Sequence, residues 1–110
     1  MPNTFKSNGA QVTTTNVTAY TCPSATQTTI IGLSLANTFT APINVTVELL
    51  KGGIAPAYAI VSQAPIPVGG TLVAVGAEQK VVMQPTDVLR ARSTTASGTA
   101  DLIVSYLEIT

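Results

Sequence analysis

Residues 28–37 read TTIIGLSLAN and residues 43–51 read INVTVELLK. In the first stretch Ile31, Leu33 and Leu35 fall on one side of an extended chain, with Ile30, Gly32, Ser34 and Ala36 opposite. The second repeats the alternation: Val45, Val47 and Leu49 point inward, and Asn44, Thr46 and Glu48 outward. A period of two belongs to strands half buried on a core. Working outward, breakers recur at short-strand intervals: Ala41-Pro42, Gly52-Gly53, Pro65, Pro67, Gly69-Gly70, Gly76, Pro85 and Ser97-Gly98. No window keeps a helical apolar period for three turns. Eighteen threonines push the same way, because a β-branched, half-polar side chain suits a pleated surface better than a helix.

Strands are therefore expected at Ala19–Thr21, Thr28–Asn37, Ile43–Lys51, Ala57–Gln63, Thr71–Val75, Lys80–Met83, Val88–Ser93 and Ala100–Ile109. About eight short strands and no helix predict an all-β antiparallel sandwich, or a flattened barrel of jelly-roll type. Residues 1–16 read as a polar N-terminal arm that orders against a neighbour, and residues 17–110 as one sandwich domain. In QPTDVLRARS, Pro85 and Asp87 suit a turn. STTASGTA reads as a polar loop with Gly98 free to take positive φ, so Val88–Ser93 and Ala100–Ile109 are expected to form a C-terminal hairpin.

Charge bounds the function. The 110 residues hold five Lys or Arg and five Asp or Glu, with zero net charge. A compact chain of this mass exposes about 5,700 Å², or roughly one charge per 570 Å², less than half the usual density. Such a surface favours association over a solitary, colloidally stable monomer. Five dispersed cations make no basic stripe, so no nucleic-acid partner is expected. No membrane role is expected either, since the apolar stretches are interrupted within ten residues. The start, MPNTFKSNGAQ, lacks the apolar centre of a signal peptide, and Cys22, the single cysteine, cannot form an internal disulfide. These features suggest synthesis in a cytoplasm.

Catalytic chemistry finds little material. Without histidine the commonest general base and the Ser-His and Cys-His pairs are missing. One Cys and scattered acids (Glu48, Glu78, Asp87, Asp101 and Glu108) offer no metal-ligand spacing. Gly52-Gly53 and Gly69-Gly70 lack the Lys and following helix of a phosphate loop. No enzyme, cofactor or metal is expected, and Asp87 is read as a turn residue.

The final run, ADLIVSYLEIT (100–110), is apolar on both faces. Leu102, Val104 and Tyr106 point one way and Ile103, Leu107 and Ile109 the other. Either the barrel covers both faces, or one face meets another subunit, with Ile103, Leu107 and Ile109 as candidate contact residues; the alternative is that Ile103 and Leu107 are exposed singletons. Arg90 and Arg92 alternate on one strand face and are candidates for ion pairs with a neighbouring copy, or for a solvated edge. Tyr20, Tyr58 and Tyr106 are candidates for a carbohydrate-stacking platform or for buried, hydrogen-bonded aromatics. The triplets Asn16-Val17-Thr18 and Asn44-Val45-Thr46 fit chance in so threonine-rich a chain.

The segments YTCPSATQTTIIGLSLAN, APINVTVELLKGG, APIPVGGTL and QKVVMQPTDVLRARSTTASGTADLIVSYLEIT together resemble a group of small structural proteins of tailed bacteriophages, especially marine and cyanobacterial phages. The resemblance covers about Tyr20 to Thr110. Its most telling parts are TDVLRARSTTASGTADLIVSYLEIT and the Ala36-Asn37 pair. It implies a β-sandwich virion component: a capsid decoration or cement protein, or a neck or tail element. The small, smooth faces and sparse charge predict a homo-oligomer, with a trimer favoured over a dimer; the resemblance implies as partners other particle proteins such as the major capsid, neck or tail proteins. The alternative is a glycan-binding module of a phage spike or fibre. On this reading the protein is made in the bacterial cytoplasm and resides in the virion.

Overall fold

The computed structural model describes residues 3–54, 56–75, 80–95 and 98–109. Gly76, Glu78, Ser97 and Thr110, singled out above, lie outside the described residues. Nine strands follow in order: β1 Asn3–Val12, β2 Val17–Thr21, β3 Gln27–Asn37, β4 Ile43–Leu50, β5 Ala57–Ile66, β6 Thr71–Val75, β7 Val81–Met83, β8 Val88–Ser93 and β9 Ala100–Ile109. A short 3-10 turn, Lys51–Gly53, separates β4 from β5.

Two antiparallel sheets face one another. Sheet A runs β1-β9-β3-β6, with β7 also on β3, and sheet B runs β2-β8-β4-β5. Strands β6 and β7 lie end to end along β3, pairing with Leu33–Ala36 and Thr28–Ile30 respectively. The sandwich is thus four strand positions wide on each side, with the order of a jelly roll. All eight expected strands are present, β6 and β7 sharing one position, and β1 is a ninth.

That first strand departs from the expected arm. Residues 3–12 pair with the whole of β9, from Asn3 opposite Ile109 to Val12 opposite Ala100. Its ladder is intramolecular, although seven successive residues from Asn3 to Gly9 are exposed. Composition conceals such a strand, because only Val12 in it is fully buried.

The core lies between the sheets and is built from Val12, Ile30, Leu33, Leu35, Ile43, Val45, Val47, Ile66, Met83, Leu89, Leu102 and Val104, among others. Each large aliphatic side chain removed from water contributes about 1.5–3 kcal/mol. The alternation read from β3 holds for only part of the strand. A register shift between Ile30 and Gly32 against β9 places Thr28 and Ile30 inward before Leu33 and Leu35 take over, leaving Ile31 half buried. Ile30, expected outside, is fully buried. A bulged strand contributes one extra residue and changes faces at that point.

Strand β4 shows a related correction. Thr46, expected outward and wet, is buried, because β5 bulges twice against β4 and the Gln63 N–H donates to Thr46 Oγ1 at 3.0 Å. Leu49, expected inward, is only half buried, and Leu50 is buried instead.

The expected C-terminal hairpin does not form. Strand β8 pairs with β2 and β4 in sheet B, whereas β9 pairs with β1 and β3 in sheet A. The connection crosses from sheet to sheet, a consequence of both strands being wanted in the middle of different sheets. Gly98 is needed there for space and not for positive φ: a Cβ would collide with Ser93 Oγ and Ile43 Cγ2.

Two buried polar residues fasten the loops. Asn37 donates from Nδ2 to the carbonyls of Ala41, Ile66 and Pro67 at 3.0–3.2 Å, and its Oδ1 accepts from Phe39 N at 2.7 Å. Asp87 accepts from the backbone N–H of Gln84 at 2.9 Å and of Gly52 at 2.7 Å, and pairs with Lys51 Nζ at 2.6 Å. Asp87 thus performs the turn role read from the sequence and also ties in the turn after β4. Burial pushes its carboxyl up, but Lys51 and the two N–H donors outweigh that and hold it below the usual range.

Candidate assembly surface

The outer side of sheet A is assembled from register partners on successive strands. Phe5 on β1, Leu107 on β9, Thr29 on β3 and Val82 on β7 form one row. Gly9, Ile103, Ser34 and Val73 form another across β1, β9, β3 and β6. Between them lie Ser7, Ser105 and Gly32. Phe5 is 74% exposed, Val73 64%, Val82 59% and Ile103 57%, so these four side chains are offered to solvent and not shared with the core. None of the three rows contains a charged residue; Asp101 stands at one end, opposite Gln11 and Ala36.

The outer side of sheet B is different in kind. Arg90 lies opposite both Thr18 and Glu48, and Arg92 opposite Thr46. Arg90 Nε lies 3.0 Å and Arg92 Nη1 2.8 Å from the same Glu48 oxygen, and Arg92 also donates to Asn16 Oδ1 at 3.3 Å. Burial raises the Glu48 carboxyl, and the two guanidinium groups more than reverse it.

The five candidate contact residues therefore do not form one surface. Ile103, Leu107 and Ile109 share the outer face of sheet A, Ile103 exposed and the other two half buried. Arg90 and Arg92 sit on the opposite side of the sandwich and meet Glu48 of their own chain. Phe5, Val73 and Val82 were missed. Phe5 lay in the supposed arm, and the two valines lie in strands of five and three residues, too short for alternation to declare an outer face.

A cluster of ionisable groups closes one end of the sandwich. Tyr20 and Tyr106 stack with centroids 4.2 Å apart, and the Tyr20 hydroxyl donates to Glu108 Oε2 at 2.6 Å while contacting Thr28 Oγ1 at 2.9 Å. Lys6 reaches Glu108 Oε1 at 2.9 Å. The bonds from Lys6 and Tyr20 hold Glu108 below its ordinary range, and burial above all pushes the Tyr20 phenol up. Cys22 Sγ lies beside Thr26 O and Thr28 Oγ1 at 3.2 and 3.3 Å, and is 1% exposed. Every charge here is matched, so the cluster has the form of a latch between β1, β2, β3 and β9.

The three tyrosines do not make a common platform: Tyr20 and Tyr106 are buried together, while Tyr58 is exposed on β5. Clefts at the end of β1 are lined by Gln11, Thr13, Thr38, Thr99 and Asp101, and by Gly9, Ala10 and Ile103, without an aromatic ring. Among the described residues no group of three or more Cys, Asp or Glu side chains is placed to hold a metal ion.

No family model and no curated protein matches the chain. Among solved structures, the fold is similar to that of a Bacillus endospore appendage, one of a family of disulfide-linked pili. That likeness has a TM-score of 0.57 at 15% identity and covers 96% of this chain and 85% of the other. At that identity the likeness concerns the fold.

Proposed function

We propose that this chain is a structural subunit that acts by contact with copies of itself and with other proteins of a particle, without catalytic chemistry. The observation that carries the reading is the outer face of sheet A, where three adjacent rows hold no charge and the two flanking ones carry four exposed large apolar side chains. Sheet A is about 20 Å wide by 30 Å long from ordinary strand spacing and rise. Its face therefore approaches the ~800 Å² per partner of a stable protein interface. With small and apolar side chains and no charge in its three rows, it is a surface to be covered, not a pocket to be filled.

The pilus neighbour supports the use of this architecture in a repeating assembly. Its disulfide linkage does not transfer, because the single cysteine here is buried; contacts between copies would be noncovalent. The likeness of residues 20–110 to phage structural proteins favours the virion as the particle, with capsid decoration, neck or tail as the place. Quantitative mass spectrometry of purified particles tests this reading. A copy number of tens to hundreds per particle is expected, and absence from the particle overturns it. In vitro, wild type should associate in light scattering, and Ile103→Asp should leave a folded chain that no longer associates through the outer face of sheet A.

A further inference from the structure

Each sheet of an open sandwich ends in strands with unsatisfied N–H and C=O groups, and natural proteins blunt such edges with bulges, prolines, charges or shortness. Here all the edges but one are blunted. Strand β2 has five residues and a register shift. Strand β5 carries Pro65, two register shifts and Gln63 at positive φ. The β6/β7 edge is broken into segments of five and three residues. Strand β1 has ten residues, no proline and no register shift against β9. Its one charge, Lys6, is matched by Glu108.

We propose that β1 is an assembly edge, pairing antiparallel with β1 of a second copy about a two-fold axis at Ser7. This deepens the structural-subunit reading and rests on it. The occupant follows from the edge itself. Being electrically neutral, it offers nothing to a charged partner, and it is self-complementary about an axis at Ser7.

Antiparallel neighbours directly opposite each other share a face. To keep both outer faces on one side, outward residues must meet outward residues, which restricts the axis to a residue and not a gap. An axis at Lys6 would oppose two cations. An axis at Ser7 sets Phe5 of each copy against Gly9 of the other, where the missing side chain leaves room for an exposed aromatic ring. Lys6 then faces Asn8. The pairing also fuses the two outer faces of sheet A into one uncharged surface twice as wide, ready to be covered. Such a contact is isologous and closes on two copies, in contrast to the trimer favoured from composition.

Ser7 is exposed, so its substitution tests the edge without touching the core. Ser7→Lys and Ser7→Glu should each weaken self-association in light scattering by about tenfold or more, since like charges meet across the axis. A one-to-one mixture of the two should restore a dimer. Ser7→Cys should give a covalent dimer under mild oxidation, with Cys22 too buried to compete. Failure of the mixture to restore association, or wild-type-like association of both charged variants, overturns the edge. If Ile103→Asp alone abolishes association in that case, the structural role through the sheet face stands. A wild-type chain that stays at 11.3 kDa at high concentration also overturns the edge, and particle copy number then judges the structural role separately.

Discussion

The two outer faces of this sandwich are built on strands of similar length and alternation, yet one carries a charged ladder and the other almost none. On sheet B, Glu48 gathers Arg90 and Arg92, and all three side chains lie flat and partly covered over their own sheet. On sheet A, valine, isoleucine and phenylalanine stand in solvent between serines and glycines. A charged face resists being covered, because burying its ions costs several kcal/mol each. An uncharged face gains by being covered. The contrast is why the proposed contact is placed on the outer face of sheet A and not on that of sheet B.

The sharpest way to break the comparison uses adjacent residues of β9. Val104→Asp buries an unpaired charge in the core and should cost more than about 4–5 kcal/mol, enough to prevent folding. Ile103→Asp should melt within a few degrees of wild type and lose association through the outer face of sheet A, leaving at most the edge-paired dimer. If calorimetry shows both variants unfolded, the outer face of sheet A belongs to the interior and the contrast between faces disappears.

A second, smaller effect is expected at Asp87. Asp87→Ala strands the N–H groups of Gly52 and Gln84 and the Lys51 ammonium, and should cost about 2–4 kcal/mol. For a domain of this size that lowers Tm by about 10–20 °C. Association should survive, because the turn lies away from the outer face of sheet A. Loss of association at temperatures where the variant is folded would count against that separation.

Glu48→Ala sharpens the comparison from the other side. It removes the carboxylate that pairs with Arg90 and Arg92 and should cost about 1 kcal/mol, as expected for partly exposed pairs, with oligomer mass unchanged. A change in mass would return the arginines to the list of contact residues.

The pH dependence follows from the shifts. Glu48, Asp87 and Glu108 all titrate below their ordinary values in the folded chain. Their contribution is therefore complete above about pH 4.5, the upper end of the unfolded range, and is lost as pH falls through the folded values. Tyr20 and Tyr106 are raised, so their contribution is complete below about pH 10 and lost above it. Thermal melts should show a plateau between these limits. The smallest effect concerns salt: sodium sulfate should leave self-association unchanged or modestly stronger, since covering apolar surface is favoured by such salts while ion pairs are screened. Marked weakening would point to the charged face instead.

The all-β class, the placement of most strands and the inward set of β9 are legible in the residues alone, because they depend on a local period of two and on breakers that act through their own backbone. Leu102, Val104 and Tyr106 are buried as read, and Asp87 is legible because a turn carboxylate answers to N–H groups a few residues away. Only the tertiary structure decided which partners those strands take. The bulge that sends Ile30 inward, the separation of β8 and β9 into different sheets and the recruitment of Asn3–Val12 as an edge depend on hydrogen-bonding neighbours far away in the chain. Phe5, Val73, Val82 and Ile103 share a face for the same reason. Alternation says that a side chain points away from its own core, and only the register across strands says which other side chains stand beside it.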